Sequence, residues 1–168
     1  IVPELIVVDK LTYAGDLRRL KETKGNFKFF RVDICNQKKV NAIFQKEKPN
    51  VVVHFAAESH VDRSINDASP FIETNIKGTQ ILLDLSRKYK VKKFVFISTD
   101  EVYGEIANGK FSENSPIKPN SPYAASKAAA DRICYSYFRS YGMDITIIRP
   151  FNIYGDRQKS GVYGAVIP

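Results

Sequence analysis

The chain is poor in the residues that make metal and disulfide sites: 168 residues include two cysteines, two histidines and a single methionine, Met143. Cys35 and Cys134 lie far apart and outside any C-x-x-C pattern, which excludes a disulfide scaffold and leaves two buried free thiols. No Cys, His and carboxylate spacing suggests a metal: His54 reads as a strand histidine satisfied in the core, and His60 as a residue placed to line a pocket. No apolar run approaches the roughly 18 residues of a membrane-spanning helix. The opening IVPELIVVDK carries neither a basic flank nor a small-residue cleavage site. Together these absences point to a cytoplasmic protein with no membrane partner.

Apolar content of 43% and charged content of 26% fit one ordinary globular domain with a substantial core. The net charge of +8 raises a nucleic-acid reading, but the positive residues are dispersed. The densest group, Arg87, Lys88, Lys90, Lys92 and Lys93, straddles a helix-to-strand turn, where the helix dipole gives basic residues a local reason. The expectation is no nucleic-acid partner, the surplus charge serving instead to attract phosphate-bearing small molecules.

Strand and helix patterns alternate. Strands are expected over 5–8 (closed by Asp9), 27–32, 51–55, 93–97 and 144–148. Helical spacing covers 37–48, stopping before Pro49. It also covers about 70–89, with Ile72, Ile76, Ile81, Leu82 and Leu85 as the buried stripe. A third helix runs from Ser121 or Pro122 to Tyr141 and is capped by Gly142. Residues 12–15 form a turn, 17–24 a short polar helix or loop, 103–122 a long excursion rich in Gly, Asn, Ser and Pro, and 149–158 a loop.

This alternation implies an α/β fold with a doubly wound parallel sheet of the Rossmann type. In such folds a carboxylate ending the second strand holds an adenosine ribose, with a Gly-rich phosphate loop about 20 residues earlier. Asp9 fits the first role, a turn or N-cap residue being its alternative, yet only eight residues precede it and none is Gly. The first strand and Gly-rich loop are therefore expected upstream of Ile1, and a substrate-binding domain beyond Pro168. Residues 1–168 then read as a partial NAD-binding domain, an internal piece inactive by itself. With order 3-2-1-4-5-6, the strand expected to be missing is the central one, leaving the strands at 5–8 and 27–32 unjoined to that at 51–55.

The chemistry concentrates in FVFISTDEVYG, residues 94–104, and in the Tyr123–Lys127 spacing that follows. An apolar strand delivers Thr99 and two adjacent carboxylates, Asp100 and Glu101, to its carboxyl end, where ligands sit in open α/β sheets. Tyr123 and Lys127, four apart on a helix, share a face, and a Lys beside a phenol favours the phenolate and so a base nearer neutral pH. Hydroxyl, acid pair and activated phenol suggest redox and proton-transfer chemistry on a polyol. A solvated turn for the acid pair and a core aromatic for Tyr123 are the alternatives.

HFAAESHVDRSI (54–65), STDEVYG (98–104), SPYAASKAAAD (121–131) and VDKLTYAG (8–15) resemble the extended short-chain dehydrogenase/reductases, and among these the dTDP-glucose 4,6-dehydratases. The resemblance implies an NAD-dependent lyase converting an NDP-hexose to its 4-keto-6-deoxy form, a step of deoxysugar biosynthesis. It assigns catalysis to Thr99, Asp100, Glu101, Tyr123 and Lys127. Tyr123 would take the C4 hydroxyl proton, Lys127 would bond the nicotinamide ribose, and Thr99 would bond the reacting sugar oxygen. Glu101 would take the C5 proton, and protonated Asp100 would donate to C6 as water leaves. NAD contacts carry over to Asp9, Lys10, Leu11 and Thr12 at the adenosine ribose, Asp33 and Ile34 at the adenine, and Phe55, Ala56, Ala57 and Thr74 along the cofactor. Tyr123 and Lys127 complete that set. Substrate contacts carry over to Glu58, Ser59, Thr99 and Asn152.

One departure stands out: dehydratases of this kind usually read Asn-Asn-Tyr-Gly where the chain reads Asn152-Ile153-Tyr154-Gly155, closer to the epimerase style. An NDP-sugar 4-epimerase or decarboxylase of the same fold is thus the alternative, and a non-catalytic NAD-binding regulator the alternative of another class. The resemblance also implies a homodimer through the two long helices. In support, the second carries Ile133, Tyr135, Tyr137, Phe138 and Tyr141 on several sides, more than one buried face needs.

Overall fold

Short β-branched and aromatic runs build two parallel sheets rather than one. In the structure, a computed structural model that describes residues 4–20 and 26–155, β1 (Leu5–Asp9) pairs with β2 (Phe27–Arg31). β3 (Val51–His54), β4 (Lys93–Ile97) and β5 (Ile145–Ile148) form the second sheet in the order β3-β4-β5. In its register Val52 faces Phe94, which in turn faces Ile145. Along a doubly wound sheet these are strands 3-2 and 4-5-6. Among the described residues no strand lies between β1 and β3, so the two sheets stand apart as the sequence implied.

Helix ends follow local chemistry. α1 (Gln37–Glu47) starts where the Asn36 side chain accepts from the Lys39 amide at 3.1 Å. It ends at Lys48, in the left-handed region, just before Pro49. α5 (Pro122–Tyr141) starts on the Ser121 hydroxyl, which accepts from the Ala124 amide at 3.0 Å, and ends on Gly142 at φ +64°.

The helix expected over 70–89 is instead a composite. It comprises α3 (Ser69–Phe71), a π-helical segment (Ile72–Gly78) and α4 (Thr79–Lys88), preceded by a short helix α2 (Val61–Asn66) that the sequence pattern did not reveal. The wider π turn shifts the phase of the buried stripe. Ile72, expected inside, is 55% exposed, while Thr74, Asn75 and Gly78 turn inward. Ile81, Leu82 and Leu85 are buried as expected. Of the segment 17–24, Leu17–Leu20 forms a 3₁₀ turn and 21–24 lie outside the described residues, as do 156–158 of the loop after β5.

The core lies between the second sheet and its helices. Phe94 and Phe96 alternate on the buried face of β4 and meet Leu82, Leu83, Ala130 and Cys134. Small residues on α5 (Ala124, Ala128, Ala130) let that helix lie close to neighbouring elements. Cys134 is fully buried, but Cys35, expected to be buried, is half-exposed, its thiol donating to the Glu73 carbonyl at 3.2 Å. The excursion packs Phe111 and Ile117 on Val102, Tyr103 and Ala128. Tyr135, Phe138 and Tyr141 remain about half-exposed on the outer side of α5.

Candidate active site

The acid pair reaches its place because β4 ends in a tight turn. After Ile97 the chain enters a 3₁₀ turn (Asp100–Tyr103) capped by the Thr99 hydroxyl, which accepts from the Glu101 amide at 3.3 Å and contacts Asp100 Oδ1 at 3.2 Å. Backbone bonds from Ser98 to Ile148 (2.7 Å) and Asp100 to Pro150 (3.1 Å) continue the β4–β5 pairing past the strands. The 150–152 segment, with exposed Asn152, therefore runs beside the acids.

Tyr123 approaches from α5. Its backbone amide donates to Ser64 Oγ at 3.0 Å, and its ring meets Phe71 edge-on at 6.3 Å. The phenol shares one electrostatic neighbourhood with Thr99, Asp100 and Glu101. Burial pushes its pKa up, Glu101 adds to the rise, the hydrogen bond with Thr99 opposes it, and Asp100 again raises it. Burial and then Asp100 also raise Glu101, toward the range useful to a base. The phenol thus lies within electrostatic reach of the Thr99 hydroxyl and both carboxylates.

The expected activation of Tyr123 by Lys127 is not present in this structure. The Lys127 ammonium donates to the Ile97 carbonyl at 2.6 Å and sits 4.4 Å over the Phe96 ring, and the net shift of Tyr123 is upward. Burial lowers Lys127 itself to about 8. The four-residue spacing puts both groups on one face but does not choose the partner of the ammonium; the nearest buried carbonyl does.

A second cluster spans the carboxyl ends of β1, β2 and β3. Asp9 Oδ1 accepts from the Leu11 amide at 2.6 Å, so the turn role and an outward-facing carboxylate coexist. Leu11 itself has φ +55°, and Thr12 opens the tight turn closed by Gly15. Lys10 Nζ donates to Thr74 Oγ1 at 3.3 Å and lies 3.6 Å from Asp33 and 3.7 Å from Glu58. Burial opposes ionisation of Asp33, yet the Cys35 amide and Lys10 hold its carboxyl below the ordinary value. Phe55 is 68% exposed at the end of β3, and Ala56 and Ala57 follow half-buried.

Two expected contacts change. Ile34 buries its side chain in the core against Gly78, so only its backbone can face an adenine. Glu58, expected at the sugar, is buried and turned to Lys10 because Asn75 grips its backbone from both sides. Ser59 stays exposed beside it.

Asn75 is one residue the sequence reading missed. Fully buried in the π segment, its side chain accepts from the Glu58 amide (2.8 Å) and donates to the Glu58 carbonyl (2.9 Å) and to Ser126 Oγ (2.8 Å). Ser126 in turn donates to the Tyr123 carbonyl at 2.7 Å. Thr79 spends its proton on the Asn75 carbonyl at 2.6 Å, so it must accept from His54 Nε2, which fixes the imidazole tautomer. Burial, reinforced by the Lys127 charge, lowers His54 to about 3 and keeps it neutral. The available signal was polar Thr74, Asn75 and Thr79 occurring inside an apolar helical stripe.

A family model described as GDP-mannose 4,6 dehydratase matches residues 2–168. The chain belongs to this family. The dTDP-glucose 4,6-dehydratase of an Actinoplanes species is 45% identical over 159 residues, 94% of this chain and 49% of that protein. A crystal structure of the Streptomyces venezuelae dTDP-glucose 4,6-dehydratase with NAD bound superposes at TM-score 0.81 with 47% identity, over 88% of this chain and 47% of the other. The Thermotoga maritima UDP-glucose 4-epimerase with UDP-glucose superposes at 0.90 with 33% identity, over 98% and 53%. The chain spans about half the length of the curated dehydratases it matches. Dehydratase and epimerase relatives share the Rossmann-type fold, so the choice between their chemistries falls to the residues at the end of β4.

Proposed function

We propose that this chain contributes the cofactor-binding and catalytic residues of an NAD-dependent 4,6-dehydratase acting on a nucleoside-diphosphate hexose, dTDP-glucose in the first instance. The single observation that carries the proposal is the grouping of Asp100 and Glu101 with Tyr123 and Thr99 at one strand end. Epimerisation at C4 needs one proton acceptor, whereas loss of water across C5 and C6 needs a further base and acid.

The donor set fits a dinucleotide. Asp9 offers a carboxylate acceptor at an exposed turn, Ala56 and Ala57 let the backbone approach closely, and Lys127 supplies an ammonium at the opposite end. Asp9, Lys10, Leu11 and Thr12 would hold the adenosine ribose. Asp33 and the Ile34 backbone would hold the adenine, Phe55, Ala56, Ala57 and Thr74 would line the middle, and Tyr123 and Lys127 would take the nicotinamide ribose. Bound NAD supplies the two-electron acceptor for C4 and returns the same pair to C6.

The chain's residues handle the protons. Tyr123 takes the C4 hydroxyl proton while Thr99 holds the reacting oxygen. Lys127 must swing from the Ile97 carbonyl to offset the burial and the carboxylates that hold the phenol protonated. With C4 a ketone, the C5 hydrogen is acidic, and Glu101 removes it. Asp100 gives a proton to the C6 hydroxyl, which departs as water. The proton on Glu101 then returns to C5, and the proton gained by Tyr123 replaces the one given up by Asp100, so no net acid is consumed. Ser59 and Asn152, both exposed, would bind the sugar nucleotide. A homodimer through the two long helices, the composite over 69–88 and α5, and a cytoplasmic setting complete the proposal.

Epimerisation keeps its standing as a second reading because Ile153, with its exposed side chain, stands where dehydratases of this kind usually carry Asn. The deciding experiment incubates the purified protein, as the cell makes it, with dTDP-glucose or GDP-mannose and NAD. A product lighter by one water and carrying a C4 ketone supports dehydration and identifies the nucleotide. An unmodified hexose inverted at C4 assigns the epimerase reading instead.

A further inference from the structure

We infer that a buried ion pair, Asp131–Arg149, together with Tyr103, is a positioning clamp that sets the acid pair of the 3₁₀ turn against the Tyr123 helix. The inference rests on the dehydration reading, because it concerns the placement of the elimination groups.

Asp131 lies one helical turn beyond Lys127 on α5 and is fully buried. Arg149, the first residue after β5, grips it with a planar fork, Nε to Oδ2 at 2.8 Å and Nη2 to Oδ1 at 2.9 Å. Arg132 also pairs with Asp131. Burial opposes the Asp131 charge, but the bonds from Arg149 and Arg132 hold its carboxyl ionised, below the ordinary value. The remaining arm of Arg149 reaches the other way. Its Nη1 donates to the Tyr103 hydroxyl at 2.5 Å and to the Glu113 carbonyl at 3.4 Å, and its guanidinium lies 5.0 Å over the Tyr103 ring. Tyr103 closes the turn that Asp100 opens, and Phe111 of the excursion stacks on its ring at 5.1 Å.

One guanidinium thus joins α5, the acid-bearing turn and the excursion. The phenol and the acids sit on different elements, and the turn's backbone bonds run to the β5 side at Pro150 and to the excursion at Lys118. Its link to α5 is made by side chains: Thr99 with Tyr123, Val102 and Tyr103 on Ala128, and the Arg149 fork. A buried ion pair is weak in stability terms, since apolar residues of like volume often do as well. A rigid bidentate fork does, however, fix direction, which a lysine's point charge does not. Misplacement of a reacting group by about 1 Å can slow a step roughly 100-fold.

The test uses Tyr103→Phe and Arg149→Lys in the protein as the cell makes it, with the NDP-hexose that the wild type converts. Tyr103→Phe is expected to leave KM within about twofold and to lower turnover about tenfold, the scale of one hydrogen bond to a charged group. The loss should fall on elimination, so a sugar ketone still bearing its C6 hydroxyl builds up, trapped by borodeuteride quench and identified by mass. Arg149→Lys should show the same imbalance more strongly. Amide exchange over 104–118 should rise in both. If Arg149→Lys does not fold, Tyr103→Phe carries the test. Variants that slow oxidation and elimination alike, or that leave both the partition and the exchange unchanged, overturn the clamp. A wild type that removes no water sinks the dehydration reading instead, and exchange over 104–118 unchanged in both variants would then remove the clamp as well.

Discussion

Replacing Gly104 by alanine should damage the site without touching a catalytic group. Gly104 follows the 3₁₀ turn at φ +80° and ψ −147°, a region essentially reserved for glycine. Holding an L-residue there costs about 1–3 kcal/mol. A Cβ would also lie 2.2 Å from the Lys118 carbonyl oxygen, a backbone atom. Ordinary carbon–oxygen contact requires the returning limb of the excursion to retreat by roughly 1 Å. That retreat strains the bond from the Lys118 amide to the Val102 carbonyl, now 3.0 Å, for about 1 kcal/mol more. The sum is roughly 2–4 kcal/mol. Displacement would pass to the turn carrying Asp100 and Glu101, with up to about 100-fold loss of turnover. Gly109→Ala is the control: its φ is +96°, but the nearest atom to its Cβ is Ile106 Cδ1 at 3.8 Å, so only the conformational strain applies. Denaturant melts and steady-state turnover of the two variants give the answer. Gly104→Ala with the stability and turnover of Gly109→Ala would refute the reasoning.

Glu101→Gln should retain C4 oxidation, since removing its charge also removes a group that raises Tyr123, while elimination falls by roughly 10²- to 10⁴-fold. Normal turnover in this variant would show the base to be another residue. In cofactor-free protein, Lys127 should be an ammonium below pH 8 and discharge above it, because burial lowers its pKa from the ordinary 10.5 to about 8. A carbon-13 titration of its side chain with a midpoint near 10.5 would show the ammonium to be solvated rather than held over Phe96.

Legibility followed how local the determining physics is. β4 was readable to its ends because Phe94, Val95, Phe96 and Ile97 form an unbroken β-branched and aromatic run. α5 was readable because Ser121, Pro122 and Gly142 each punctuate it by local chemistry. The split into sheets of two and three strands followed from where Asp9 falls relative to any possible phosphate loop. The π segment was hidden, since Asn75 is paid for by hydrogen bonds to residues 17 and 51 positions away and hydropathy registers only its polarity. α2 was missed because six largely polar residues carry no periodic stripe. For the candidate site, residue types and spacing brought Thr99, Asp100, Glu101 and Tyr123 to notice. The direction of Glu58, the partner of Lys127 and the Asp131–Arg149 pair depend on distant backbone, which spacing does not encode.

The central claim is that one hexose gives up hydrogen at C4, loses water, and regains that hydrogen at C6 over the same four side chains. Deuterium at C4 of the NDP-hexose tests it most directly, with the product examined by proton NMR. The account predicts a 4-keto-6-deoxy sugar whose deuterium sits in the C6 methyl group. Deuterium still at C4 of an inverted hexose, or lost to water with no methyl group formed, would contradict it.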